Sequence, residues 1–491
     1  LGPIGEPAPA DTTKLFTRNQ DFKWIRKSAL LPLQVKNDLV KLEKMGYTGP
    51  EHRFMPANFH ETQLPGEGTR EAVTFPNVPE QLLSLARYWN AIEYLYPYKY
   101  KLSEPWDQVL RQQMPVFSQP MTATGFETGL LKLNTAIQDS HGGAVNIKNK
   151  GAIYGSYFPP FFFRWVGDSI VITDYIDTAS CKRQDLRPGD VIYSIGNSTV
   201  TVKSQDWYVS ASNLAKKKAI LSSPLLLLPL RSKDSTVNIG ISRSGQRLQK
   251  ILELGKPNSR YVSTLTDIYR RETGNGTTTT NDFVLRSVNP DVALIDAANL
   301  SILYNSSSDE RGADSVMMLM RNHSKAIILD MRCYATQAVF YNKLLSALGW
   351  KLQPFMSLKA HSIRHPGAFY EHDAFSGVKQ EGIKEKYQGK VILLVDSRTH
   401  SQSEMITMIM QASGPAIVVG TQSSGADGDV IDLPMPGGYE LSFSGRHVMY
   451  PDGTPSQMSG VKRDVKIKIT TQAVAAGRDE ILEAALKLAG Q

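Results

Sequence analysis

The chain has 491 residues, 41% apolar and 21% charged, a balance that excludes wholesale disorder and fibrous repeats and gives room for about three domains. Its 55 basic and 47 acidic side chains leave a net charge of +8, and Lys216-Lys217-Lys218 is the only run of three cations, so no nucleic-acid partner is expected. The most apolar stretch, 223–230, is broken by prolines and falls far short of the ~18 residues that a membrane span needs.

The opening LGPIGEPAPADTTK resembles the start of a mature exported protein and is equally compatible with trimming. Residues 1–75 lack steady periodicity and are punctuated by Gly49-Pro50 and Pro65-Gly66-Glu67-Gly68, so they are expected to form an N-terminal strap or small subdomain. Residues 76–144 predict a helical domain. Asn77, Pro79 and Glu80 form a helix start, and Leu82, Leu85, Trp89, Ile92 and Tyr96 recur at helical spacing until Pro97. A second helix is expected around Trp106, Val109 and Leu110, bounded by Pro105 and Pro115. A third, marked by Phe126, Leu130, Leu133 and Ile137, runs into Asp139-Ser140-His141-Gly142-Gly143, a helix exit expected to expose its side chains.

Residues 145–260 change character, with short β-type runs at 170–173 and 237–241. Leu186-Arg187-Pro188-Gly189-Asp190-Val191-Ile192 reads as a tight turn feeding a strand. It resembles the corresponding element of PDZ domains, which bind peptides by strand addition; any small β-barrel turn is the alternative. The aromatic stretch Phe158 to Trp165 is expected to pack as core, with lining of a groove as the other option. Cys181 and Cys333 sit in no metal-binding pattern; a long-range disulfide stays open, with two free buried thiols the expected state.

After the polar linker 274–281 the pattern becomes α/β over 282–491. Buried strands are expected at 326–330, 391–395 and 416–419, a helix at Tyr341–Leu348, and a helix whose face is Met405, Met408, Ile409 and Ala412. Strand, helix, strand within about thirty residues is a βαβ unit in a largely parallel sheet. A last helix spans 479–488.

The sharpest chemical feature is the segment from Asp396 to Glu404, which bridges a buried strand and a helix start. Ligands bind beyond the carboxyl ends of such strands. A serine there sits beside unsatisfied N–H groups that can hold an oxyanion; alternatively, Ser401 or Ser403 is an ordinary N-cap. A serine nucleophile needs a base. His141 is one candidate, whereas His400 is too close in sequence to orient for proton transfer. No lysine lies between Ser401 and Val461, so a Ser–Lys dyad with a lysine a few dozen residues downstream is excluded and histidine must serve.

From about residue 78 onward the order of parts resembles the S41 serine peptidases, the family of C-terminal processing proteases and the tricorn core protease. The resemblance is carried by DSHGG at 139–143, AIILDMR at 326–332, THSQSE at 399–404, AIVVGTQSSGADGDV at 416–430, and GVKRDVKI with GRDEILEAAL near the C-terminus. It implies a multidomain α/β protein with a crotonase-like ββα-type catalytic core, a helical N-terminal domain and a PDZ-like β insert. It also implies Ser401 as nucleophile, because Glu404 lies three residues on, and the Gln402 N–H as an oxyanion donor. Ala426 and Asp427 stand where the lysine-dependent branch has lysine, so the tricorn-like branch is implied, with His141 as base and Ser140 as its neighbour in the tetrad. Gln457 falls at the usual glutamate position, and Glu440 is the nearest acidic alternative. The family's DxRxNxGG strand end is absent here, which leaves the Cys333 N–H as the other expected oxyanion donor. Gly142, Gly143 and Gly425 are expected beside substrate.

The implied activity is hydrolysis of peptides or unfolded proteins through an acyl-enzyme, without cofactor or metal, in an extracytoplasmic (periplasmic or secreted) location. The alternative is a catalytically weak S41-fold protein that binds peptides or other ligands, favoured by Gln457 and the non-glycine strand end. An unrelated α/β hydrolase is disfavoured because no serine sits in G-x-S-x-G. His361 and His365 have a helical zinc spacing, but Pro366 follows and no third ligand is identifiable, so they are expected in a loop. Glu371-His372-Asp373 is likewise expected to be a solvated loop.

Overall fold

The computed structural model describes residues 15–46, 55–56, 62–63, 75–202, 207–259, 261–266, 283–304, 311–362, 365–372, 382 and 386–490. Much of the expected N-terminal strap and the 274–281 linker lie outside the described residues. The chain divides into two compact units: 1–149 with 356–376 and 426–457, and 150–355 with 377–425 and 458–491. The segment 282–491 contributes to both.

In the second unit, short β-branched and leucine-rich runs build a sheet in the order 285–289, 292–296, 326–330, 390–395, 416–420, 465–466. The first pair is antiparallel and the others parallel. Residues 326–329 and 391–395 are buried on both faces, which explains why they read as continuous apolar runs. Ile481, Ala485 and Ala489 of the helix Glu480–Gly490 close one face against Ile328, Ile392 and Val419.

The same unit holds a second, antiparallel sheet in the order 246–253, 236–243, 191–195, 169–175, 161–166. Phe161, Phe162 and Phe163 fill its core with Ile170, Ile192, Ile239 and Cys181, as expected of the aromatic stretch. Asp190 shapes the LRPGD turn: its carboxylate accepts from the Arg187 N–H at 2.9 Å and from Arg243 at 2.7 and 2.8 Å. Both cysteines are free and buried.

In the first unit, the helix Val78–Leu95 starts on the expected capping box between Asn77 and Glu80. The next helix runs through Pro115 to Phe117 rather than stopping there. The proline forfeits the bond to the Arg111 carbonyl, but Arg111 is exposed to water, and the Ser118 N–H beyond it still reaches the Met114 carbonyl at 3.0 Å. The third helix, Ala123–Ala136, buries Phe126, Leu130 and Leu133. Two sheets complete the unit, one ordered 15–16, 369–372, 357–361, 447–449 and the other 55–56, 62–63, 430–435, 439–444, 143–145.

Two expectations fail here. His361 is a buried strand residue rather than a loop histidine, edge-on to Phe369 at 6.4 Å; desolvation lowers its pKa to about 4. Glu371 and His372 end the strand Phe369–His372 rather than forming a loop, because Glu371 pairs with Lys359 and His372 with Leu358 across the ladder; Asp373 lies outside the described residues. Among the described residues no cluster of three or more metal-ligating side chains occurs, and no helix is long and apolar enough to cross a membrane.

Candidate active site

In the second unit, the strand Lys390–Val395 ends and the chain turns through 396–401 into the helix Gln402–Ser413. Asp396 fixes the first corner. Burial alone would raise its carboxyl, but the Arg398 guanidinium, at 2.7 to 3.1 Å, holds it below its ordinary value. Thr399 Oγ1 accepts from the Asp396 N–H at 3.1 Å and donates to the Met331 carbonyl at 2.8 Å, tying this turn to the end of the neighbouring strand.

Ser401 stands at the N-cap with φ +50 and ψ −112, and its side chain makes no capping hydrogen bond. A non-glycine residue at positive φ stores roughly 1–3 kcal/mol of strain that its surroundings must hold. The backbone clamps are on both sides: Ser403 N–H donates to the His400 carbonyl at 3.1 Å, and the Glu404 and Met405 N–H groups donate to the Ser401 carbonyl at 2.7 and 3.0 Å. The buried face of the helix is Ser403, Glu404, Ile406, Thr407, Met408 and Met410; of the expected face only Met408 is buried. The face is displaced because two of its polar side chains are structural. Ser403 Oγ accepts from the Ala335 N–H and donates to the Cys333 carbonyl, both at 2.7 Å. Glu404 Oε1 accepts from Ser423 Oγ at 2.6 Å and from the Gly425 N–H at 2.9 Å.

The expected oxyanion residues flank this turn. Gln402 is the first helical residue, where an N–H has no partner within the helix. Cys333 is 2% exposed and desolvation raises its thiol pKa, so only its backbone is available for chemistry. Counted from Asp330, the family pattern places its glycines at 336 and 337; Gln337 nonetheless adopts φ +63, a conformation that glycine would enter without strain. Gly425 has φ +68, and a Cβ there would lie 2.8 Å from Asn213 Nδ2. Its N–H and carbonyl are engaged by Glu404 and the Met458 N–H, which leaves its missing side chain as its only offering to a substrate. His400 Nδ1 pairs with Ser424 Oγ at 2.6 Å.

Sequence reasoning missed Lys216. Asn213 caps the helix Leu214–Leu221 and its amide also reaches the carbonyls of Ser423, Ser424 and Met458 at 2.9, 3.0 and 3.2 Å. This clamp sets Lys216, in the first turn, within the fields of Glu404 and Asp396. Burial lowers its amine to about 8, against the opposing pull of those carboxylates. No motif marks Lys216, and its helix lies some 180 residues upstream of Ser401.

In the first unit, Gln138 at φ +50 ends the third helix and turns the chain into 139–143. The expected exposure fails at Asp139, which is fully buried because four donors converge on its carboxylate. Oδ1 accepts from the His141 N–H at 3.0 Å, Ser444 Oγ at 2.9 Å and Gln457 Nε2 at 3.2 Å; Oδ2 accepts from the Ser444 N–H at 2.6 Å. His141 Nδ1 lies 2.9 Å from Ser444 Oγ, and the ring and Ser140 are half-buried. Gly143 begins the strand Gly143–Val145 at the edge of its sheet, opposite Ser442. Glu440 sits opposite Val145; desolvation and then Asp432 raise its pKa.

Residues 344–467 match the model of Peptidase family S41. The chain is similar in fold to mature CPAF, with a TM-score of 0.65 and 12% identity over 84% of this chain and 96% of CPAF. For the complex of mature CPAF with lactacystin the TM-score is 0.63, again at 12% identity, over 84% of this chain and 98% of CPAF. The photosystem II D1 C-terminal processing protease aligns with a TM-score of 0.38 and 14% identity over 81% of this chain and 96% of that one. No curated protein sequence matches the chain.

Proposed function

We propose that the chain is a serine-type peptidase of family S41, on its match over residues 344–467 and its fold, in which Ser401 attacks the carbonyl of a bound peptide while His141 takes its proton. An ester forms between Ser401 Oγ and the acyl carbon, His141 passes the proton to the departing amine, and water then releases the acid by the same route in reverse. The observation that carries the reading is the Ser401 backbone, held at φ +50 with no capping hydrogen bond from its side chain. A serine serving only as an N-cap takes an extended backbone and bonds the helix N–H groups.

The Gln402 and Cys333 N–H groups supply the oxyanion site. Ser140 completes the turn that presents His141, and Gln457 joins through Asp139. The edge strand from Gly143, preceded by Gly142, suits an extended substrate backbone, and Gly425 keeps the turn beyond Glu404 narrow. We assign 1–75 as a strap, 76–144 as the helical domain, 145–260 as a PDZ-like domain that presents peptides, and 282–491 as the catalytic core. The substrate is a peptide or unfolded protein, and the setting is extracytoplasmic, periplasmic or secreted.

Hydrolysis of a library of unstructured peptides tests this. Ser401→Ala is expected to lower turnover by at least about a thousandfold; equal turnover by the variant overturns the assignment. A second reading, with Lys216 as the base, is favoured by its clamp through Asn213 and its amine near 8.

A further inference from the structure

We propose that Asp139, acting through Ser444, is the acid that orients His141 and balances its charge, the part that the family pattern gives to a glutamate at the position of Gln457. The role in catalysis rests on His141 being the base; the protonation state of its ring does not.

An ionised carboxylate only accepts, and a serine hydroxyl has one proton to give. Ser444 Oγ donates that proton to Asp139 Oδ1 at 2.9 Å. Toward His141 Nδ1, also at 2.9 Å, the same oxygen can then only accept. The imidazole is therefore protonated at Nδ1, and Nε2 carries the basic lone pair, as proton abstraction from a serine requires.

The strand ladder explains how two residues 303 apart meet. Gly143 pairs with Ser442 in an antiparallel register; two further steps bring position 141 opposite 444. Ser444 is the last residue of its strand, and its N–H is fixed to the other oxygen of the same carboxylate at 2.6 Å. The Ser444 backbone is thus held by the same carboxylate that its hydroxyl meets. When Nε2 takes a proton, the added positive charge polarises the Nδ1–H, hydroxyl and carboxylate in series. Gln457 acts one step further out. Its Nε2 donates to Asp139 at 3.2 Å, so a neutral amide suits that position, whereas a glutamate there would set two carboxylates against each other in a buried site.

The test uses the full chain labelled with 15N-histidine, with the His141 ring assigned by its loss in His141→Gln. The Nδ1–H form is expected in the native protein. Ser444→Ala is expected to shift the ring toward the Nε2–H form and to slow fluorophosphonate labelling about 10- to 100-fold, with a changed pH profile. Ser444→Thr restores both to within about threefold. Asp139→Asn keeps an accepting oxygen at the Oδ1 position, where three donors converge, so it is expected to retain the Nδ1–H form while the lost charge slows labelling; the serine variants carry the test if it does not fold. An Nε2–H ring in the native protein overturns the proposal, as does a Ser444→Ala variant with unaltered tautomer and pH profile. Failure of Ser401 labelling with the expected tautomer intact would instead count against the peptidase assignment.

Discussion

Around Ser401, side chains of its own turn and helix start reach out to several other segments and hold a backbone out of its resting conformation. Around His141, by contrast, one buried carboxylate collects donors from the same turn and from a neighbouring strand. Thr399, Ser403 and Glu404 each bind backbone or hydroxyl groups on other segments, so strain at Ser401 is distributed over many small bonds. Asp139 concentrates the corresponding job in a single charge. A nucleophile requires a fixed direction of approach, which favours a rigid backbone. A base requires a fixed protonation state, which favours a fixed charge.

Breaking the tie behind Ser401 has the largest expected effect on stability of any single substitution considered. Glu404→Ala leaves the buried Ser423 hydroxyl and Gly425 N–H without their acceptor, at a cost of about 3 kcal/mol or more. Urea unfolding measures it, and a loss below about 1 kcal/mol would show that the turn does not depend on Glu404.

The His141 side carries a sensitivity to mild acid, between pH 6.5 and 4. His361 and His447 lie in the same unit, and desolvation lowers each to about 4, with Lys359, Lys101 and Arg18 adding to the effect at His447 and Arg446 at His361. Because the folded values lie below the ordinary 6.5, the unfolded chain binds more protons between pH 6.5 and 4. Stability is therefore complete above 6.5 and falls as pH drops toward 4, by up to about 3 kcal/mol for each ring. Unfolding at pH 7 and pH 4.5 reads this directly, and His361→Leu with His447→Leu should flatten the difference.

Ser403→Ala sharpens the comparison on the nucleophile side. It is expected to cost about 1–2 kcal/mol through the Cys333–Ala335 loop and to lower kcat more than it alters KM. Equal effects on both would place that loop outside the transition state. The smallest effect is a titration: competitive acylation should give Lys216 an apparent pKa near 8, set apart from surface lysines that titrate above 10.

Much of the fold was legible because periodicity and punctuation are local properties. The Asn77–Glu80 cap and the strands around 326–330 and 391–395 are examples. Pro115 misled because the carbonyl it leaves unbonded belongs to Arg111, which is exposed to water, so the helix runs two residues past it. The helix after Ser401 misled because its buried face includes Ser403 and Glu404, whose burial is stabilised by distant backbone that no window on the sequence contains. At the His141 turn the motif was readable, and Gln457, with Glu440 as the acidic alternative, was expected to complete the tetrad. The acid proposed above, Asp139, stands two residues away and meets the ring through Ser444, which only a strand register brings there. Lys216 was invisible for a similar reason, being positioned by the cap of its own helix gripping carbonyls on distant segments.

The central claim is that Ser401 depends on His141. The direct measurement is the rate at which a fluorophosphonate modifies Ser401, located by mass spectrometry, in the native chain, His141→Gln and Lys216→Met. The account predicts at least a hundredfold loss in His141→Gln and a rate within about threefold of native in Lys216→Met. A native rate in His141→Gln, with the loss appearing in Lys216→Met, would contradict it.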